Sequence, residues 1–309
     1  MIRSSGRLGP ISFMLLLLYA PAQAATVVNV NCSSQSLQTA INAASVDTQI
    51  NISGTCSENI LIDNDRVKLF LFGPATINGP DASKATFDVR GKAILLTGLT
   101  ITGGRDGVQI HRSANAVISG NTIESTGNMG IIVQELGFAV IINNLIQNNP
   151  NRGIHLSSGA SANIGFNNST DVTASPNTIQ GNGDRGIFLN SGSSARIVGN
   201  TIQNNTNDGI IVRSSSAADI AGNLINGNGG DGVQVNFTST VRLGRDDGTT
   251  IFDLPNNTTV NNVGFGVNCS GRAVVDGALN NQNGAPVANP LTGTAGQANI
   301  TAGCTDSTI

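Results

Sequence analysis

A glycine recurs in one register through the middle of the chain, and its surroundings recur with it. Gly107, Gly130, Gly153, Gly186, Gly209 and Gly232 are separated by 23, 23, 33, 23 and 23 residues. Nine positions before five of them, and before Gly266, stands Asn121, Asn144, Asn177, Asn200, Asn223 or Asn257. Nine positions after the six glycines come Ala116, Ala139, Ala162, Ala195, Ala218 and Val241, and eleven after come Ile118, Ile141, Ile164, Ile197, Ile220 and Leu243. A fixed period of this length marks an architecture of stacked units, each packing on its neighbours.

Each period holds three short runs with apolar residues at spacing two, such as Val233-Gln234-Val235, Ala218-Asp219-Ile220 and the segment around Ile225. None is long enough for a helix. The pattern predicts an all-β solenoid, a parallel β-helix of three sheets and about ten coils, with rungs ~4.8 Å apart. Val108, Ile131, Ile154, Ile187, Ile210 and Val233 then form one inward column, and the alanines mark where the walls approach closely. Glycine is expected at the turn for its access to positive φ. Asparagine is expected there for its tolerance of αL and for amide bonds to its copies.

Residues 1–24 read as a signal peptide: Arg3 and Arg7, an apolar core from Ile11 to Tyr19, and Ala22-Gln23-Ala24 at the cleavage site. That core is too short to span a bilayer. The expected product is secreted or periplasmic, cleaved near Ala24. Residues 25–49 form an N-terminal cap with one helix from Ser34 to Ser45, N-capped by Ser34, with Leu37, Ala40, Ile41 and Ala44 on its apolar face. Residues 50–270 form the β-helix, and 271–309 a polar capping tail.

The four cysteines of an exported chain favour disulfides. Cys32 and Cys56 lie at one end of the stack, Cys269 and Cys304 at the other, and a bridge needs α-carbons within about 7 Å. Cys32–Cys56 and Cys269–Cys304 are therefore the expected pairs. The spacings match no zinc pattern, and there are two histidines. A net charge of −3 gives no reason to expect nucleic acid as a partner.

Asn200-Thr201-Ile202 through Asp208-Gly209-Ile210-Ile211-Val212 and its copies, with Ser36-Leu37-Gln38-Thr39-Ala40-Ile41 and Gly54-Thr55-Cys56-Ser57-Glu58-Asn59-Ile60, resemble the right-handed parallel β-helix proteins of the pectin-lyase-like superfamily. The short-repeat carbohydrate-binding and sugar-hydrolase group is the most similar. The resemblance covers nearly all of the mature chain and implies a secreted protein that binds polysaccharide or a cell-surface glycan, and processes it if it is a lyase, hydrolase or epimerase. Asn207-Asp208-Gly209-Ile210 resembles the aspartate-bearing strand of polygalacturonases. The glycine-flanked histidine and basic strand motif of those enzymes are absent, as is the acidic–proline–histidine cluster of alginate epimerases. A calcium-binding carboxylate set like that of pectate lyases does not assemble.

Three places could carry chemistry. Asp208 and Asp231 precede repeat glycines on adjacent rungs, about 5 Å apart, with Arg185, Asp184 and Arg213 nearby. Two such carboxylates can share a proton, as glycosidic cleavage requires; aspartate before glycine also simply makes turns. Along the following strand run Gln109, Ile132, His155, Phe188, Ile211 and Gln234, beside His111, Gln134, Ser157, Asn190, Arg213 and Asn236. Alternation predicts that both rows face solvent. Exposed Ile132, Phe188 and Ile211 would make an apolar stripe for a sugar chain, with Gln109, His155, Phe188, Arg213 and Gln234 as binding residues; His155 taken alone reads as a solvated strand residue. Lastly, insertions of 10 and 11 residues follow Gly165 and Gly244 on one edge, Phe166–Pro176 and Arg245–Asn256. Asp171, Asp246, Asp247 and Asp253 could suit calcium, without a twelve-residue calcium-loop pattern; no other cofactor or metal is expected. The expectation is a monomeric polysaccharide-binding protein; the alternative is a non-catalytic structural or adhesive surface module.

Overall fold

The computed structural model describes residues 26–168, 171, 173–243, 257–276 and 305–306. Every strand pairing in it is parallel, and successive rungs meet in register: Ile131 pairs with Ile154, Ile154 with Ile187 and Ile187 with Ile210. The 33-residue step is absorbed outside the strands, so the longer coil leaves the columns aligned. Three faces result. The first two hydrogen-bond as one 19-stranded sheet, because Val67–Gly79 and Lys92–Gly103 run continuously round the corner between them. The third is a separate sheet of nine strands, from Ile60–Ile62 to Val267–Cys269, so nine coils are described where about ten are expected.

The interior is filled by stacked columns. Val108, Ile131, Ile154, Ile187, Ile210 and Val233 are all fully buried, as are Ile123, Ile146, Ile179, Ile202 and Ile225. The alanine column is also inside. Thr259 interrupts the isoleucines at the C-terminal end, and its buried hydroxyl has no partner.

Buried amides zip the rungs together. Asn177 Oδ1 accepts from both the backbone N–H (2.9 Å) and the side-chain amide (2.9 Å) of Asn144. Asn177 donates to Asn200 in the same way, and Asn200 to Asn223. A second ladder, through Asn149, Asn182, Asn205, Asn228 and Asn262, repeats the pattern with amide-to-amide distances of 2.8 to 3.0 Å. The stacked-amide expectation holds, but not the conformations assigned to it. The ladder asparagines and the six repeat glycines all lack positive φ; Asn143, Asn148, Asn204 and Asn261 adopt it instead. The repeat glycines are required by crowding: a Cβ on Gly186 would lie 2.6 Å from Ile202 Cγ2 and 2.7 Å from Gly209 O.

The helix is shorter than expected, Leu37–Ala43, and its N-cap is Ser36 rather than Ser34. Glu58 fixes that start, accepting from the N–H groups of Leu37 and Gln38 at 2.9 and 3.0 Å. Leu37 and Ile41 enter the core, and the Gln38 side chain both accepts from Leu61 N (2.7 Å) and donates to Leu61 O (3.0 Å). The open edge of the first third-face strand is thereby satisfied. Cys32 and Cys56 form the expected disulfide. Cys269 is also disulfide-bonded, whereas Cys304, the expected signal segment and most of the expected C-terminal tail lie outside the described residues.

Replacing Asn200 by Ala leaves the buried Asn177 backbone N–H without its acceptor and Ile164 O without its amide donor, while the backbone N–H of residue 200 still reaches Asn223 Oδ1. Leaving such groups unpartnered should destabilise by about 3 kcal/mol, read as a lowered urea midpoint. Asn163→Ala, on the outer surface, should shift it by less than about 0.5 kcal/mol.

Candidate functional site

Most of the residues singled out in the sequence lie on the outer surface of the third face. Register stacks Gln109, Ile132, His155, Phe188, Ile211 and Gln234 on consecutive rungs. The expected apolar stripe, however, is not exposed: Ile132, Phe188 and Ile211 are 8%, 2% and 1% accessible. Rungs are so close that a long side chain from one covers its neighbours, and arginines do so here. The Arg152 guanidinium lies 4.1 Å from the Phe188 ring centre, with those of Arg185 and Arg213 at 5.4 and 5.5 Å. Such cation–π packing hides the ring beneath charge.

His155 joins this layer and is buried rather than solvated, its ring 5.0 Å from that of Phe188. Burial, reinforced by the Arg152 charge, pushes it down from 6.5 to about 4, against a smaller opposing effect of Asn190. Asp184 holds Arg152 at 3.3 Å and Arg185 at 2.5 Å, and Asp208 Oδ2 sits 3.5 Å from Arg185 Nε. Three guanidinium groups thus face two carboxylates. Arg213 Nε and Asn236 Oδ1 are buried on this face without hydrogen-bond partners, the kind of deficit that ordered water or a ligand makes good.

Asp208 and Asp231 are on adjacent rungs, each engaged with backbone. Asp208 Oδ1 accepts from Asp231 N at 2.8 Å, and Asp231 Oδ1 from Phe265 N at 2.7 Å. Asp231 Oδ2 also accepts from Asn268 (2.7 Å) and Gln234 (3.4 Å). Burial raises the Asp208 carboxyl above its ordinary value; the Asp231 N–H and Arg185 oppose that shift, while the Asp231 charge adds to it. Asp106 repeats the motif, taking the Met129 N–H at 3.2 Å.

The family described as "Right handed beta helix region" matches residues 26–172 and 161–285, most of the chain. The chain belongs to that family. Among solved structures, the right-handed β-helix seen here is similar to the crystal structure of alginate lyase from Paenibacillus sp. str. FPU-7. The two share 16% identity and a TM-score of 0.43, over 82% of this chain and 94% of that one. No curated protein matches the chain.

Gln109 is not part of the arginine layer of this β-helix protein. It belongs to a cavity of about 500 Å³ at the N-terminal end of the same face, lined by Leu61, Lys84, Asp88, Arg90, Arg105 and His111 among others. Asp88 and Arg90 went unremarked in the sequence, although each stands 21 residues before Gln109 or His111 of the two outward rows. The first insertion packs Phe166 against Val198, and its Asp171 accepts from the N–H groups of Asn167 (2.6 Å) and Asn168 (3.2 Å). Among the described residues no group of three or more metal-ligating side chains occurs; Arg245–Asn256 lies outside them.

The depressed His155 has a readable consequence. A group that binds its proton more weakly when folded supports the fold fully above its unfolded value, and that support is lost as pH falls. Between 6.5 and about 4 the protein should lose stability relative to His155→Gln, by up to roughly 3 kcal/mol. Urea midpoints across that window check it; parallel curves for the two proteins would refute it.

Proposed function

We propose that this chain is an exported carbohydrate-binding β-helix protein that holds an acidic polysaccharide along the outer surface of its third face. The supporting observation is the layer of Arg152, Arg185 and Arg213 around Phe188, in which guanidinium groups outnumber carboxylates and Arg213 Nε lacks a partner. Guanidinium groups match carboxylates in geometry as well as charge. Arg213 stacks on Phe188 and on Phe237, the latter ring 55% exposed, leaving it at the open margin of the layer. Export is supported by the signal-like first 24 residues and by the Cys32–Cys56 bridge. Among the described residues no helix is long and apolar enough to cross a membrane.

Holding is better supported than cleavage. Burial raises the Asp208 carboxyl, yet Asp208 and Asp231 each have an oxygen committed to a backbone N–H of the next rung. On this reading the pair anchors the rungs and the polymer leaves intact. Incubation with polyuronates should release neither reducing ends nor unsaturated products; release abolished by Asp208→Asn with Asp231→Asn would instead establish catalysis.

Binding to a panel of polyuronates should be measurable at low salt and weaken as salt screens the arginines. Arg213→Ala should weaken it about tenfold or more, the usual effect of one lost charge-assisted hydrogen bond. Absence of binding to every uronate polymer would remove the reading.

A further inference from the structure

We propose that the cavity at the N-terminal end of the third face is a separate site for a neutral sugar unit, resting on the reading that this face handles carbohydrate. Its volume, about 500 Å³, falls in the range of small-ligand sites, ~300–1,000 Å³. One wall is the turn at residues 80–86, and Asn59 pins it. The Asn59 amide donates to the carbonyls of Asp81, Lys84 and Ala85 at 3.0 to 3.3 Å, and Asn59 Oδ1 accepts from Asp81 N at 2.9 Å. The site is therefore held open by a fixed turn.

Each of its cations is matched by a carboxylate. Lys84 meets Asp81 at 3.1 Å, Arg105 meets Asp106 at 2.8 Å, and Arg90 grips Asp88 through two nitrogens at 3.1 and 2.6 Å. His111 Nε2 lies 2.6 Å from Asp88 Oδ1, and its Nδ1 3.4 Å from Glu135 Oε2. Burial opposes ionisation of Asp88, but the hydrogen bonds from Arg90 and His111 prevail and hold its carboxyl below the usual range. No surplus positive charge remains to select an anion, in contrast with the arginine layer farther along the face.

What remains is hydrogen-bonding capacity on fixed side chains. Arg90 Nη1, Arg105 Nη1 and Gln109 Nε2 make no hydrogen bond among the described residues, and Asp88 Oδ2 accepts only one. Donors beside a spare carboxylate lone pair suit vicinal hydroxyls, which both accept and donate, and half-buried Leu61 offers apolar surface to the C–H face of a ring. Asp88 lies four rungs before Phe188 in the same outward column, so the two stations are about 19 Å apart.

The test is titration of the full chain with neutral gluco-, galacto-, manno- and xylo-oligosaccharides, and with uronate oligosaccharides, by calorimetry. At least one neutral series should bind with an affinity indifferent to salt, weakened about tenfold by Gln109→Ala and unchanged by Arg213→Ala. Asp88→Asn should weaken it further; Gln109 is half-exposed and its variant remains informative if Asp88→Asn does not fold. Failure of every neutral series, or neutral binding that survives Gln109→Ala, would overturn the proposal. Uronate binding lost in Arg213→Ala, with no neutral binding, would overturn it while leaving the arginine-layer reading intact.

Discussion

Each asparagine inside a ladder is bound on both sides by its own copies, and nearly everything else in the molecule inherits its position from that. The amide oxygen takes two N–H groups from one neighbouring rung, while the amide nitrogen reaches the other rung and a carbonyl of the wall, as Asn200 does with Asn223 and Ile164 O. In a dry interior such a group tolerates neither loss of a partner nor displacement by one residue. Coil length can therefore vary only where the ladder is not, and the 33-residue step inserts its additional residues after Gly165, leaving Asn144 bonded directly to Asn177.

Fixed register also explains why the third face is covered rather than open. With side chains repeating every ~4.8 Å along each column, an arginine spans more than one rung, and three of them can converge on one phenylalanine. Burial of this kind carries an electrostatic cost, visible in Arg152, whose guanidinium is depressed first by burial and then by the charge of Arg185 against the support of Asp184. Asp184, bridging Arg152 and Arg185 from the turn beside them, offsets part of it. The layer is close to charge balance but does not reach it.

What could be read from the sequence follows from which interactions repeat by identity. The first asparagine ladder and the isoleucine columns are legible because each copy bonds or packs against itself. The second ladder is equally legible, since Asn149, Asn182, Asn205 and Asn228 stand four residues before repeat glycines. The reason for the glycines was not legible: positive φ and close approach both demand a missing Cβ, and only the 2.7 Å approach to the next glycine's carbonyl separates them. Nor was the burial of Phe188, because alternation assigns a side chain to a face and says nothing of what a longer neighbour lays over it. The cavity at Asp88 and Arg90 sits among early coils whose lengths depart from 23 residues, where columns cannot be extended by counting alone.

The contrast between outward columns is itself informative. On the face that carries Leu145–Gln147 and Thr201–Gln203, Gln147 donates to Glu124, Gln180 to Gln147 and Gln203 to Gln180 at 2.7 to 2.9 Å, so near-identity there is accounted for by a half-buried ladder. On the face that carries Ala217–Ala221, Asp219 meets Arg196 and Arg242 at 3.4 and 3.3 Å, a column that satisfies itself by alternation of charge. The third-face column runs Asp88, Gln109, Ile132, His155, Phe188, Ile211, Gln234, Asn268, and no residue matches the next. In its middle that column is held by unlike contacts, the His155 and Phe188 rings against each other and three arginines over Phe188. The same face holds the buried polar atoms of Arg213 and Asn236 that the protein leaves without partners, which is where a bound molecule would complete what the rungs do not.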